Sequence, residues 1–209
     1  SEAKMKCGAQ LSLYVMADDF VRVILSSLDA IAPYRDRLSI ETDDISTLIV
    51  GPPDLIFPTM RDLFVAAASS GHHVAMHATI SRGCPGEPDM DICEPAQPSA
   101  FHDDLEARKV GAAQAVADAP MAGQRVAVQF SLYPLGPTDY MDEIYGCIDF
   151  LKASPVFDRA KNYCTRLAGD AGPVFEALSQ AWLSFGDPNA HVAIDLTASV
   201  NSPSKDAAA

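Results

Sequence analysis

A histidine cluster and a turn cysteine are the residues here whose types most invite chemistry. His72, His73 and His77 lie close together, and a His-x-x-x-His pair on a helix would present two imidazoles to one zinc ion. The segment, however, follows Gly71, a helix-ending residue, and alternates polar and apolar as a strand does. At strand rise, positions 73 and 77 stand about 13 Å apart and position 72 points to the opposite face. No metal site is expected. Cys84, in Gly83-Cys84-Pro85-Gly86, sits on a turn just past that strand, where a thiol could be presented, but no basic partner is identifiable and the turn has no second copy. A structural turn is the expectation, with a thiol-dependent enzyme using Cys84 as an alternative. The sequence holds no G-x-S-x-G, no phosphate-cradling glycine loop and no G-x-G-x-x-G. No catalytic residue and no cofactor is nominated.

The polar residues that recur are more informative. Ser12 and Tyr14 return as Ser131 and Tyr133, Thr47 as Thr165, and His77 at the place of Asp195. Thr42-Asp43-Asp44 stands where the second copy has Lys161-Asn162-Tyr163. One reading is that these residues pave a solvated or domain-facing sheet. The other is a pair of related pockets, in which tyrosine supplies a stacking face and Ser, Thr and Asp supply a few convergent hydrogen bonds. Such a pocket suits a planar, amino-bearing, cationic heterocycle and does not suit a phosphate.

The elements that position these residues are themselves repeated. QLSLY at 10–14 recurs as QFSLY at 129–133, and HVAMHATIS at 73–81 as HVAIDLTAS at 191–199, so one unit at about 9–81 is written again at about 127–199. Phe20, Ile24, Leu28 and Ile31 match Tyr140, Ile144, Ile148 and Leu151. Residues 9–16 alternate as a half-buried strand, and Asp18 is placed to cap a helix whose inward stripe is Phe20, Ile24, Leu28 and Ile31. Strands near 37–42 and 45–50 end at Gly51-Pro52-Pro53. A helix at about 54–70 turns Ile56, Met60, Leu63 and Ala67 inward, with Pro58 in its first turn. A last strand covers 73–81. The order is βαββαβ, which folds as an antiparallel sheet with helices on one face, an α+β fold of ferredoxin-like type. The proline- and acid-rich stretch 84–99 reads as loop, 100–119 as a helix, and the last residues as a frayed tail. The expected organisation is a first repeat at 1–83, a loop and linker helix at 84–122, and a second repeat at 123–209.

Bulk properties narrow the partners. The 209 residues carry a formal charge of −13, which argues against nucleic-acid and membrane-surface binding and favours, mildly, a cationic ligand. No apolar run reaches the length of a bilayer span, and SEAKMKCGAQ lacks the apolar stretch of a signal peptide. Five cysteines without a C-x-x-C pair fit a reducing compartment, so a cytoplasmic location is expected.

Several of these stretches together resemble the YkoF family of thiamin/hydroxymethylpyrimidine-binding proteins: QLSLYVMADDF at 10–20, TDDISTLIVG at 42–51, SRGCPG at 81–86, QFSLYPL and the following TDYM within 129–141, AGDAGPVF at 168–175 and SVNSPS at 199–204. The resemblance implies tandem ACT-like ferredoxin domains, a homodimer, and a thiamin or pyrimidine pocket in each repeat. It implies a binding protein rather than a catalyst, linked to thiamin or precursor uptake or salvage, with thiamin-precursor transporter components as partners. By position it assigns Ser12, Tyr14, Asp43, Asp44, Thr47 and His77 to the first pocket. Ser131, Tyr133, Tyr163, Thr165 and Asp195 go to the second. Divergence of the copies at Asp44 against Asn162-Tyr163, and at His77 against Asp195, predicts two pockets of one design with unequal affinities. Alternatives to the binding protein are an ACT-like regulatory module that takes an amino acid between subunits, and a purely structural oligomerisation unit.

Overall fold

A computed structural model describes residues 6–84, 104–135, 140–188 and 190–204. Alternation of apolar and polar residues sets the strands. In β1 (Lys6–Val15) Cys7, Ala9 and Leu11 are buried, and in β4 (Val74–Cys84) so are Val74, Met76, Ala78 and Ile80, while the intervening residues face outward. Between them run α1 (Phe20–Ala30), a 3₁₀ turn at Ala32–Asp36, β2 (Ser39–Thr42), β3 (Thr47–Val50) and α2 (Pro53–Ala68). After α3 (Leu105–Asp118) the order repeats as β5 (Arg125–Leu135), α4 (Tyr140–Ala153), β6 (Phe157–Ala160), β7 (Thr165–Asp170), α5 (Ala171–Leu183) and β8 (His191–Val200).

Each repeat has the ferredoxin-like strand order, β2-β3-β1-β4 and its counterpart β6-β7-β5-β8. The two join edge to edge through β4 and β8 into one eight-stranded antiparallel sheet, β2-β3-β1-β4-β8-β5-β7-β6. The pairing runs from Val74 opposite Val200 to Arg82 opposite Val192. The helices cover one face. α2 packs on α5 across the same seam, with Phe57 edge-on to Trp182 at a ring separation of 5.7 Å and Phe64 against Phe175 at 6.3 Å. The two units therefore share one core.

The inward residues expected of the second helix, Ile56, Met60, Leu63 and Ala67, are all fully buried. Pro58 is not in the first turn. Pro53 opens α2, with its fixed φ suited to the first helical position, and this leaves Pro58 inside the helix. The helix near 100–119 is shorter, Leu105–Asp118, and starts at an Asp104 side chain that accepts from the Ala107 N–H. The loop expected at 84–99 lies, beyond Cys84, outside the described residues.

The AGDAGPVF stretch is explained by the way the chain enters α5. Asp170 caps the helix by accepting from Gly172 N–H, and it also accepts from the N–H groups of Ala122 and Gly123 in the segment after α3. A Cβ at Gly172 would lie 1.9 Å from the Pro120 carbonyl oxygen, so only glycine permits that segment to close on the helix. Partial burial alone would raise the Asp170 pKa, but the surrounding N–H donors outweigh it and hold the carboxyl below the usual range.

Asp170→Ala is expected to cost about 2 kcal/mol, the upper end for loss of a helix cap, read as a drop in Tm. Because the folded pKa is depressed, this stabilisation is complete above the unfolded value of about 4 and is lost as pH falls through the folded one. The difference between wild type and Asp170→Ala should thus be full at neutral pH and shrink in acid.

Candidate functional site

The stripe of α1 does not close on the core. Ile31 is fully buried, but Ile24 and Leu28 are only half-buried and Phe20 is 47% exposed, while the fully covered positions of α1 are Val23 and Ser27. Those half-covered side chains, with Leu11, Leu13 and Val15 of β1 and Leu63 of α2, wall a cleft of about 440 Å³. Its rim is the β2–β3 turn, Thr42 to Thr47, and Tyr14 borders it. A matching cleft of about 340 Å³ lies between β5 and α4, walled by Phe130, Leu132, Ile144, Cys147, Ile148 and Leu151. The β6–β7 turn rims it, with Tyr133 at its border. Both volumes fall in the small-ligand range, and each cleft combines apolar walls with one polar rim. A larger recess of about 600 Å³ lies along β5 and β8 and takes in Arg125, Arg166 and Thr197, but none of the residues nominated from the sequence lines it.

Nine of the eleven nominated residues come together in these clefts: Ser12, Tyr14, Asp43, Asp44 and Thr47 in the first, and Ser131, Tyr133, Tyr163 and Thr165 in the second. The serine hydroxyls hold the rims. Ser12 Oγ donates to the Ile45 carbonyl at 2.8 Å, and Ser131 Oγ donates to the Tyr163 carbonyl, also at 2.8 Å. These are the same bond in the two copies. Each turn is closed by a second repeated bond, from Asp43 N–H to Ser46 O at 3.0 Å and from Lys161 N–H to Cys164 O at 2.8 Å.

Within that common frame the rims differ. In the first, Asp43 Oδ1 accepts from the N–H groups of Ile45 and Ser46 at 2.8 and 2.9 Å. These two bonds hold the Asp43 carboxyl below its usual range. Gln10 Nε2 donates to Ser46 Oγ at 2.7 Å, and the hydroxyls of Thr42 and Thr47 meet at 2.9 Å. The closing bonds align Asp43 with Lys161 and Ile45 with Tyr163, one place off the expected match of Thr42-Asp43-Asp44 with Lys161-Asn162-Tyr163. In the second rim Ala160 and Lys161 thus replace Thr42 and Asp43, and Lys161 Nζ donates to Gln129 Oε1 at 2.8 Å. Ile45 and its counterpart Tyr163 stand out from the rims at 74% and 92% exposure.

His77 and Asp195, expected one to each pocket, line neither. They lie on the uncovered sheet face, where His77 Nε2 and Asp195 Oδ1 are 2.7 Å apart across the β4–β8 seam. His73 with Ser199 Oγ, 3.1 Å, and Ser81 Oγ with His191, 2.7 Å, flank them. The flanking pairs exchange under the two-fold relation between repeats, so His77 and Asp195 meet because equivalent residues of paired edge strands must converge on the axis. His72 instead faces Asp19 at 3.0 Å. The three clustered histidines thus go to three different partners, and among the described residues no group of His, Cys, Asp and Glu is arranged to hold a metal.

The sequence model of the YKOF-related family matches residues 6–87 and again 125–205, covering both repeats and both clefts. The chain belongs to the YkoF family. It is 32% identical over 199 residues to the Bacillus subtilis (strain 168) protein named "Putative HMP/thiamine-binding protein YkoF", an alignment spanning 95% of this chain and 92% of that relative. Among the described residues no helix is long and apolar enough to cross a membrane.

The residues missed in the sequence are the apolar walls, Phe20, Ile24 and Leu28 with Ile144 and Ile148, whose helical spacing reads as core. The signal was beside them: on α1 the position that packs most tightly in the middle of the helix is the small Ser27, whose hydroxyl bonds back to Val23 O.

Ser12→Ala should cost about 1 kcal/mol, the net worth of one hydrogen bond, and act locally. Amide exchange at Asp43, whose N–H closes the first turn, should accelerate while that at Lys161 in the second turn stays unchanged. Equal acceleration in both turns would show that Ser12 does not hold its own rim.

Proposed function

We propose that this YkoF-family chain is a non-catalytic binding protein that holds thiamin or its hydroxymethylpyrimidine precursor, one molecule in each cleft, and serves their uptake or salvage. The observation that carries this reading is the duplicated cleft itself. Its walls are apolar, and Phe20, Ile24 and Leu28 of the first and Ile144 and Ile148 of the second are incompletely covered, which leaves favourable burial to be gained from a flat ring. The first rim offers hydroxyl, carboxylate, amide and carbonyl groups, and the second hydroxyl groups of Tyr163 and Thr165, able to meet an amino-bearing heterocycle. The name of the B. subtilis relative supports the same ligand class.

Tyr14 and Tyr133, half-exposed at the borders, are assigned to flank the ring, with Asp43, Asp44 and Thr47 in one rim and Tyr163 and Thr165 in the other. Ser12 and Ser131 shape the rims. We also assign the protein to the cytoplasm and to a homodimer, for which the helix-free face of the eight-stranded sheet is the available surface. Delivery to transporter components for thiamin precursors is the role we assign to such a carrier.

Calorimetric titration should find two thiamin molecules per chain and comparable recognition of hydroxymethylpyrimidine, with no heat from the thiazole half alone. Ile24→Trp fills the first cleft and Ile144→Trp the second, and each should reduce the stoichiometry from two to one with Tm near wild type. Absence of heat with millimolar thiamin and millimolar hydroxymethylpyrimidine would overturn the reading.

A further inference from the structure

The two clefts lie at equivalent places in the repeats, both with apolar walls, and are opposites in the charge of their rims. The first carries Asp43 and Asp44 and has no cationic residue among the described residues lining it. The second carries Lys161 and has no carboxylate among the described residues lining it. Asp43 and Lys161 are equivalent positions of the same turn, closed by the same backbone bond. The inversion therefore occurs at one place in a conserved frame.

The neighbouring donors reinforce it. In the first rim the Asp43 side chain takes up the N–H groups of Ile45 and Ser46. In the second the equivalent N–H groups belong to Tyr163 and Cys164, and a lysine at 161 supplies no such acceptor. Lys161 lines the cleft and donates from its ammonium to the neutral amide oxygen of Gln129 on the adjoining recess, a partner that leaves its charge uncancelled. The first rim thus presents carboxylate oxygens whose nearby donors are occupied. The second presents an ammonium and backbone N–H donors, the set that receives an anionic oxygen.

We propose that the clefts sort ligands that share one pyrimidine by the charge of the tail: the first takes a cationic tail, such as the thiazolium of thiamin, and the second takes an anionic tail, such as a phosphate ester of the hydroxymethylpyrimidine. The inference rests on the reading of both clefts as pyrimidine sites. With the ring against the apolar walls, the tail lies at the exposed rim, where the charges stand. Unit charges about 6 Å apart near water change affinity by roughly 3-fold, and more with partial screening from solvent. Charges of opposite sign on the two rims should therefore separate the preferences of the clefts by roughly 10-fold or more.

The test uses three ligands with one ring: hydroxymethylpyrimidine, neutral; thiamin, cationic; and hydroxymethylpyrimidine monophosphate, anionic. Each is titrated into Ile144→Trp, which keeps the first cleft, and Ile24→Trp, which keeps the second. The first cleft should rank thiamin above the neutral ligand and the monophosphate last. The second should rank the monophosphate above the neutral ligand. Raising the salt from ~0.05 to ~0.5 M should draw the ratios together. In the otherwise unaltered chain, Lys161→Gln should weaken only the monophosphate, roughly 3- to 10-fold, and leave the neutral ligand unchanged; this arm stands even if a tryptophan variant fails to fold. The same rank order in both clefts, or a Lys161→Gln chain with unaltered monophosphate affinity, would overturn the charge sorting while leaving the pyrimidine sites intact. No binding of any of the three would overturn the underlying reading and the inference with it.

Discussion

Pairing of β4 with β8 is the constraint on which the other features depend. Each repeat on its own ends its sheet at a long, regular strand whose outer N–H and C=O groups would be open to any passing chain. Joining these two edges satisfies them along the ladder from Val74 opposite Val200 to Arg82 opposite Val192. It also fixes where the helices must go. α2 and α5 meet over the seam, Phe57 reaches Trp182, and Arg82 of the first repeat bonds the carbonyls of Trp182 and Phe185 at 2.9 and 2.8 Å, where α5 ends. A buried guanidinium there answers the negative end of the helix and its orphan carbonyls at once. Burial pulls its pKa down to about 10, so it still carries its charge at neutral pH.

That shared core explains why the clefts lie where they do. α2 and α5 are saturated by each other and by the middle of the sheet. α1 and α4 pack farther out, each against its own first strand, and the apolar stripes they inherit have less to cover them. Among the described residues the second repeat gains one further neighbour: α3 packs on α4 and α5, Arg108 pairs with Glu143 at 2.6 Å and donates to Ser184 O at 2.8 Å, and Leu105 sits against Gly146. This extra layer sits behind α4 and leaves the face toward β5 open, so both repeats keep a cleft despite unequal surroundings.

How much of this was legible in the sequence follows from the range of each interaction. The duplication, the βαββαβ order and the buried stripe Ile56, Met60, Leu63 and Ala67 are local patterns, and periodicity exposes them. The repeat points to both turns, but matching Asp44 with Tyr163 slips by one place, because the closing backbone bonds that pair Tyr163 with Ile45 leave no mark in the sequence. His77 and Asp195 went to separate pockets in the sequence because nothing local says that the fourth strands of the two repeats pair; only the sheet brings residues 118 apart to 2.7 Å. The walls Phe20, Ile24 and Leu28 were hidden for another reason. An apolar stripe has one pattern whether it faces a core or a cleft, and the difference lies in what stands opposite. Pro58 was misplaced because two prolines compete for the helix start and the pair Pro52-Pro53 wins.

A duplicated site built in this way separates what must be kept from what can vary. The cleft walls belong to strands and helices tied into the common core, which fixes their place in the fold. Each rim is a four-residue turn held by a serine hydroxyl from the first strand of its repeat and by one backbone bond, and neither bond involves the side chains at positions 43–45 or 161–163. Those positions are exposed, and apart from Asp43, whose carboxylate accepts from the N–H groups of Ile45 and Ser46, substitution there carries little cost in stability. Asp43 can become Lys161, and Ile45 can become Tyr163, while the Ser12 bond and its Ser131 counterpart keep one length. The fold thus leaves the exposed turn at the mouth of each cleft free to diverge between the copies, while strands and helices of the common core keep the walls apolar.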